Sequence, residues 1–270
     1  MKIMDWAGYP LGTRVVQYNE DDALLYALAV GARADELPLV FERDLRVLPT
    51  FALTLGLWVA DSAAEAGAFV PAQALHGAQS LVMHGSLPRA TVFEVAGYIE
   101  SVRDTGRSAI LDIVAESEYF SATYSVILPG AGGFASTERR PASADRHTGE
   151  MRTAVSVHVP PDRAALYRLT GDRHLIHIDP AAAGAAGFDR PILHGLCTLG
   201  TAAKALAEPL DRQPWELRAI EARFVAPVYP GSVLEIGLGD GTDGQSPAGA
   251  SFGVTVADRR VLSDGRVRFG

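Results

Sequence analysis

Residues 171–200, GDRHLIHIDPAAAGAAGFDRPILHGLCTLG, carry the change of pattern on which the reading of the whole chain turns. The opening third is too polar and too broken for a core strand. It reads as a turn leading into a short irregular or helical segment. From Arg190 onward the pattern changes: Pro191 suits a first helical position, and Ile192, Leu193, Leu196, Leu199 and Ala203 recur at helical spacing. The stretch is therefore a polar loop laid against the start of a buried helix. Asp172 and His177, five residues apart, form an acid/base pair able to grip one water, the imidazole taking its proton while the carboxylate holds or receives a second. The N–H groups of His194, Gly195 and Leu196 fall in the helix's first turn, where they lack intrahelical partners. Negative charge developing on a carbonyl placed there is stabilised. Gly195 has no Cβ and permits a close approach.

Working outward, each half of the chain runs from helices into a meander. Residues 1–20 read as irregular, Asn19 as the cap of an Ala/Leu-rich helix over 23–30, and Gly31 as its end. Leu39-Val40-Phe41 reads as a strand, and Pro49 opens a helix over 50–66. Strands are expected over 80–84, 90–102, 108–117 and 119–128, rich in β-branched and aromatic residues. The second half has a strand over 153–159, a short helix over 163–169 capped by Asp162, the 171–200 stretch, and strands over 217–224, 232–239, 250–258 and 260–268. Residues 129–150 are rich in Gly, Ala, Ser, Arg and Pro and read as the link between halves. The expected division is 1–135, a linker 136–150, and 151–270, with the chemistry confined to the last.

The chain's 270 residues are 48% hydrophobic, enough for a sizeable core in one large or two ordinary domains. A formal charge of −8 argues against nucleic acid and against an anionic membrane surface as partners. The single cysteine, Cys197, excludes an intramolecular disulfide and reads as a small packing residue. No stretch has the length of a membrane span, and no signal peptide or peroxisomal address is evident, so a cytoplasmic protein is the expectation. His174, His177 and Asp179 have spacings that bind zinc, but a fourth ligand is missing, and no metal is expected.

The central stretch resembles the MaoC-like, (R)-specific enoyl-CoA hydratases (hydratase type 2). Their motif, Tyr-x-x-Ser/Thr-Gly-Asp-x-Asn-Pro-Leu-His-x-Asp followed by Phe-x-Arg-Pro-Ile-x-His-Gly, stands here as Tyr167, Thr170, Gly171, Asp172, His177, Asp179, Phe188, Arg190, Pro191, Ile192, His194 and Gly195. The family's Asn-Pro is replaced by His174-Leu175. Segments 44–51, 75–79 and 130–134 are similar to the family's non-catalytic N-terminal domain, and 223–231 to a strand-and-turn signature beyond its central helix. The resemblance covers nearly the whole chain. It implies an α+β fold, a double hot-dog of two tandem domains, each an antiparallel sheet curled around a helix. It further implies catalytic Asp172, His177 and Gly195, with His174, Arg190, His194 and Leu196 around the substrate, an acyl-CoA thioester, no cofactor, and a homodimer. The first half lacks a Gly-Asp-x4-His block, so one site per chain is expected, with the N-terminal half supplying walls. The implied reaction is reversible syn hydration of a trans-2-enoyl-CoA. A hot-dog acyl-CoA thioesterase and a non-catalytic acyl-CoA-binding subunit are the alternatives.

Overall fold

A computed structural model describes residues 2–134, 151–239 and 249–270, so the expected linker 136–150 lies outside the described residues. Among the described residues ten strands form one antiparallel sheet: β1 (Pro10–Tyr18), β2 (Leu75–Met83), β3 (Thr91–Asp104), β4 (Ser108–Glu116), β5 (Phe120–Pro129), β6 (Met151–His158), β7 (Leu217–Phe224), β8 (Val233–Gly239), β9 (Ala250–Val256) and β10 (Arg259–Phe269). Their spatial order is β1-β3-β4-β5-β2-β7-β10-β9-β8-β6, five strands from each half joined where β2 pairs with β7. Ala78 faces Arg223 and Val82 faces Ala219 across that join.

The helices are α1 (Glu20–Ala29), α2 (Leu37–Val40), α3 (Ala52–Leu55), α4 (Trp58–Glu65), α5 (Arg163–Tyr167), α6 (Pro180–Ala185) and α7 (Gly195–Leu206). In the second half, α7 is the long core helix: Leu196, Cys197, Leu199, Ala202, Ala203 and Leu206 are all buried. Its counterpart in the first half is broken into a 3-10 turn (Pro49–Phe51), α3 and α4. The break falls at Gly56, where an added Cβ would lie 2.9 Å from Ala115 Cβ and from the Tyr124 hydroxyl. Tyr124 in turn donates to the Leu53 carbonyl at 2.6 Å. The helix-then-meander pattern is present in both halves.

Several local expectations are corrected. Residues 1–20 are not wholly irregular, since β1 pairs with β3 along its length and supplies a sheet edge. Leu39-Val40-Phe41 is not a strand: Pro38 stands in the first turn of α2, which ends at Val40. Asn19 caps α1 as expected, its side chain accepting from Asp22 N at 3.0 Å while Asp22 accepts from Asn19 N at 2.9 Å. Asp162 precedes α5 but makes no side-chain cap bond. The expected helix start at Pro191 is displaced to Gly195, because the intervening backbone is committed elsewhere. Ile192 N–H donates to Ile176 O at 3.2 Å and Leu193 N–H to Val228 O at 2.7 Å. Among the described residues no helix is long and apolar enough to cross a membrane.

Candidate active site

Gly171, at φ +144°, turns the chain out of the short helix ending at Thr170 and presents Asp172. The Asp172 carboxylate accepts from the His174 backbone N–H at 3.2 Å, closing an Asx-type turn. His174 then caps the 3-10 turn Leu175–His177, its Nδ1 accepting from Ile176 N at 3.5 Å. Asn is among the best cap residues, and here His174 supplies an acceptor at the cap position. Asp179 caps α6 through Ala181 N at 2.8 Å. With His174 and Asp179 both occupied as caps, the His174–His177–Asp179 grouping is not assembled as a ligand set.

His177 is buried, at 8% exposure, and its Nδ1–H donates to the Ile192 carbonyl at 2.9 Å. A carbonyl only accepts, so Nδ1 carries the proton and Nε2 is left as the basic nitrogen. Burial lowers its pKa below the usual 6.5, while the Asp172 charge opposes that shift. His194 lies beneath it, fully buried, with ring centroids 3.7 Å apart and planes at 24°. His194 Nε2–H donates to the Asp172 backbone carbonyl at 3.1 Å, leaving Nδ1 as a lone pair with no partner among the described residues. Burial first, then His177, push the His194 pKa down to about 3, so it is neutral at physiological pH.

One nitrogen or carboxylate oxygen from each of Asp172, His177 and His194 lies within 4.8 Å of the other two. Two imidazoles and a carboxylate so arranged are also the donor types that hold a divalent ion. Each imidazole is anchored through one ring nitrogen to a backbone carbonyl.

His194 is the N-cap residue of α7, which places Gly195 at the helix's first position. The N–H groups of Gly195, Leu196 and Cys197 meet no backbone acceptor among the described residues. The space a Cβ would fill at Gly195 is taken by the Phe224 ring, whose nearest carbons would stand 3.0 and 3.1 Å away. The lack of a Cβ thus serves close packing as well as approach. Leu196 is buried. Arg190 is exposed, donates to Pro230 O at 3.2 Å and stands 4.9 Å over the Tyr229 ring, so it braces the 228–230 turn. Sequence reasoning missed the Ile192 carbonyl, which fixes the His177 tautomer, and the Phe224 ring. A carbonyl's role leaves no residue signal, whereas Phe224 lies in a segment already noted for its similarity to the family.

A cavity of about 940 Å³ lies away from this cluster, at the far end of α7 beside β6, lined in part by Thr201, Lys204, His158 and Arg212.

Comparison with known proteins places these features in a family. A model described as "MaoC like domain" matches residues 143–239, and one described as "MFE-2 hydratase 2 N-terminal domain" matches 16–127. The chain is 34% identical to the Mycobacterium tuberculosis protein named 3-hydroxyacyl-thioester dehydratase Y, over 94% of this chain and 93% of that one. It is 35% identical to the Arabidopsis thaliana protein named enoyl-CoA hydratase 2, peroxisomal, over 80% of each. The crystal structure of a MaoC-like dehydratase from Phytophthora capsici superposes with a TM-score of 0.84 at 23% identity, covering 100% of this chain and 97% of that one. The architecture is a double hot-dog.

Proposed function

The chain belongs to the MaoC-like hydratase 2 family, and from that membership we propose that it is an (R)-specific enoyl-CoA hydratase, adding water across a trans-2-enoyl-CoA to give the (R)-3-hydroxyacyl-CoA. Its place is in lipid metabolism, in either direction of the reaction. The observation that carries the proposal is the tautomer lock: His177 Nδ1–H is spent on Ile192 O, which leaves Nε2 as the basic nitrogen, and one donor atom each of Asp172, His177 and His194 lie within 4.8 Å of one another, His194 directly preceding the start of α7.

In this reading the thioester carbonyl rests on the Gly195 N–H. Water held between the Asp172 carboxylate and His177 adds at C3 as its proton passes to His177 Nε2, and the imidazolium so formed returns that proton to C2. Both transfers come from one face, which makes the addition syn. The helix start concentrates donor N–H groups where the carbonyl oxygen gains negative charge. His194 touches all three parts: its N–H holds the Asp172 backbone, its ring supports His177, and it directly precedes Gly195 at the start of α7. His174, Arg190 and Leu196 then shape the surroundings. The domain division at 136–150, a cytoplasmic location and a homodimer complete the proposal.

The test is loss of the conjugated thioester absorbance on adding trans-2-enoyl-CoAs of different tail length. Asp172→Asn and His177→Ala should each lower kcat by roughly 10²- to 10⁴-fold, the usual worth of a general acid or base. Normal turnover in both variants sinks the mechanism. Release of free thiol from acyl-CoA would favour a thioesterase, and tight acyl-CoA binding without turnover would favour a non-catalytic subunit.

A further inference from the structure

The N-terminal half was expected to supply walls, yet one of its side chains reaches the catalytic group of the other half through a single intermediary. On β2, the pairing with β5 slips between His76 and Ala78, a bulge at Gly77. A Cβ at Gly77 would come 2.4 Å from Ile127 Cδ1, so any larger residue there would have to displace the Ile127 side chain. The His76 ring lies 4.6 Å from the Phe224 ring, at 58°, and 6.0 Å from that of Tyr124. The Phe224 ring in turn packs against Gly195 so closely that no Cβ fits without displacing it. His76, Phe224 and Gly195 thus form one packed row crossing the β2–β7 join.

The orientation of His76 is fixed by a short relay. Gln79 is 2% exposed, and its Nε2 donates to Ser80 O at 2.9 Å. That leaves Gln79 Oε1 as an acceptor facing His76 Nε2 at 3.1 Å, so the imidazole must donate there. A ring oriented by a buried amide is a rigid support, and Phe224 has no polar atom of its own with which to fix its position. The charge of Asp172 acts on His76, which places the row within electrostatic reach of the acid/base pair as well.

We propose that His76, held by Gln79, is a positioning residue of the oxyanion donor: it props the Phe224 ring against Gly195 and so fixes where the Gly195 N–H points. The inference rests on the proposed role of Gly195. The test uses the full chain labelled with [15N]glycine, the Gly195 amide peak being assigned by its loss in Gly195→Ala. His76→Ala and Gln79→Leu should each move the Gly195 peak, through the changed ring current of Phe224, and lower kcat about tenfold with KM held within about twofold, as expected for a donor misplaced only in the transition state. Gln79→Glu keeps an acceptor for His76 and should restore both the peak and kcat. If His76→Ala melts below the assay temperature, Gln79→Leu carries the comparison. An unmoved Gly195 peak in a folded variant overturns the proposal, whatever happens to kcat, and so does unchanged kcat alongside a moved peak. Wild-type protein that hydrates no enoyl-CoA would refute the assigned reaction instead, while the amide peak would still report whether His76 props Phe224.

Discussion

Lowering the pH from 7 to 5 should draw stability from this fold through two histidines kept neutral. Burial drives His76 down to about 4, and burial together with His177 drives His194 to about 3. In the unfolded chain both return to about 6.5. Their folded pKa values lie below the unfolded ones, so unfolding takes up protons throughout the interval between. The stability they allow is whole above about 6.5 and drains away as the pH falls toward each folded value. Linkage gives a loss between pH 7 and 5 of about 2 kcal/mol for a histidine held neutral throughout. His194 is fully buried and should contribute that amount. His76 keeps some accessible surface, and its share is smaller, about 1 to 2 kcal/mol after allowing for solvent screening. The assay is urea unfolding at both pH values for the wild type, His194→Phe and His76→Phe. Phenylalanine keeps a ring in each place and binds no proton. The His194→Phe variant should lose about 2 kcal/mol less than the wild type over the same interval. Equal losses in all three proteins would refute the reasoning, since the protons taken up on unfolding would then belong to other groups.

The acid limb of kcat/KM should have its midpoint below 6.5, because His177 acts as a base only when neutral and burial lowers its pKa; a pH–rate profile checks this. Gly195→Ala puts a methyl 3.0 Å from the Phe224 ring and should cost roughly 10²- to 10³-fold in kcat, the scale of losing one oxyanion donor, with far-UV circular dichroism unchanged. Asn19→Ala removes the reciprocal cap of α1 and should cost about 1 kcal/mol in thermal unfolding with no change in kcat.

Much of the site was legible because it is local. Gly171, Asp172, His177 and Gly195 lie within one stretch, and the chain needs only a turn, a 3-10 segment and a helix start to bring them together. What could not be read is whatever depends on distant backbone. The helix starts at Gly195 because Val228 O and Ile176 O claim the N–H groups before it. The stacking of His194 on His177 follows from that displaced start. The edge strand β1 was illegible for a different reason: it is mostly exposed, so it carries no alternation of buried and open residues, and only its pairing with β3 makes it a strand. Leu39-Val40-Phe41 failed the other way, its β-branched and aromatic composition being overruled by a proline in a helical first turn.

The tandem arrangement explains why a half without an acid/base pair persists. The two halves contribute equal numbers of strands, and the seam between them is the β2–β7 pairing. The N-terminal helix is interrupted at Gly56, so this half has no single long core helix to match α7. Yet three of its residues lie near the 171–195 stretch or the ring that backs it. Thr54 stands against the Gly171 turn, His76 against Phe224 behind Gly195, and Asp61 within electrostatic reach of Asp172 and His174. A catalytic loop built on a short 3-10 turn has little rigidity of its own, since few hydrogen bonds close so short an element. The pair of carbonyl-anchored imidazoles and the helix start must stay aligned to within a fraction of an ångström to act together. The N-terminal half therefore packs against the candidate site even though the chemistry is assigned wholly to the other half: it pairs with the sheet edge at β7 and sits against the Gly171 turn and Phe224.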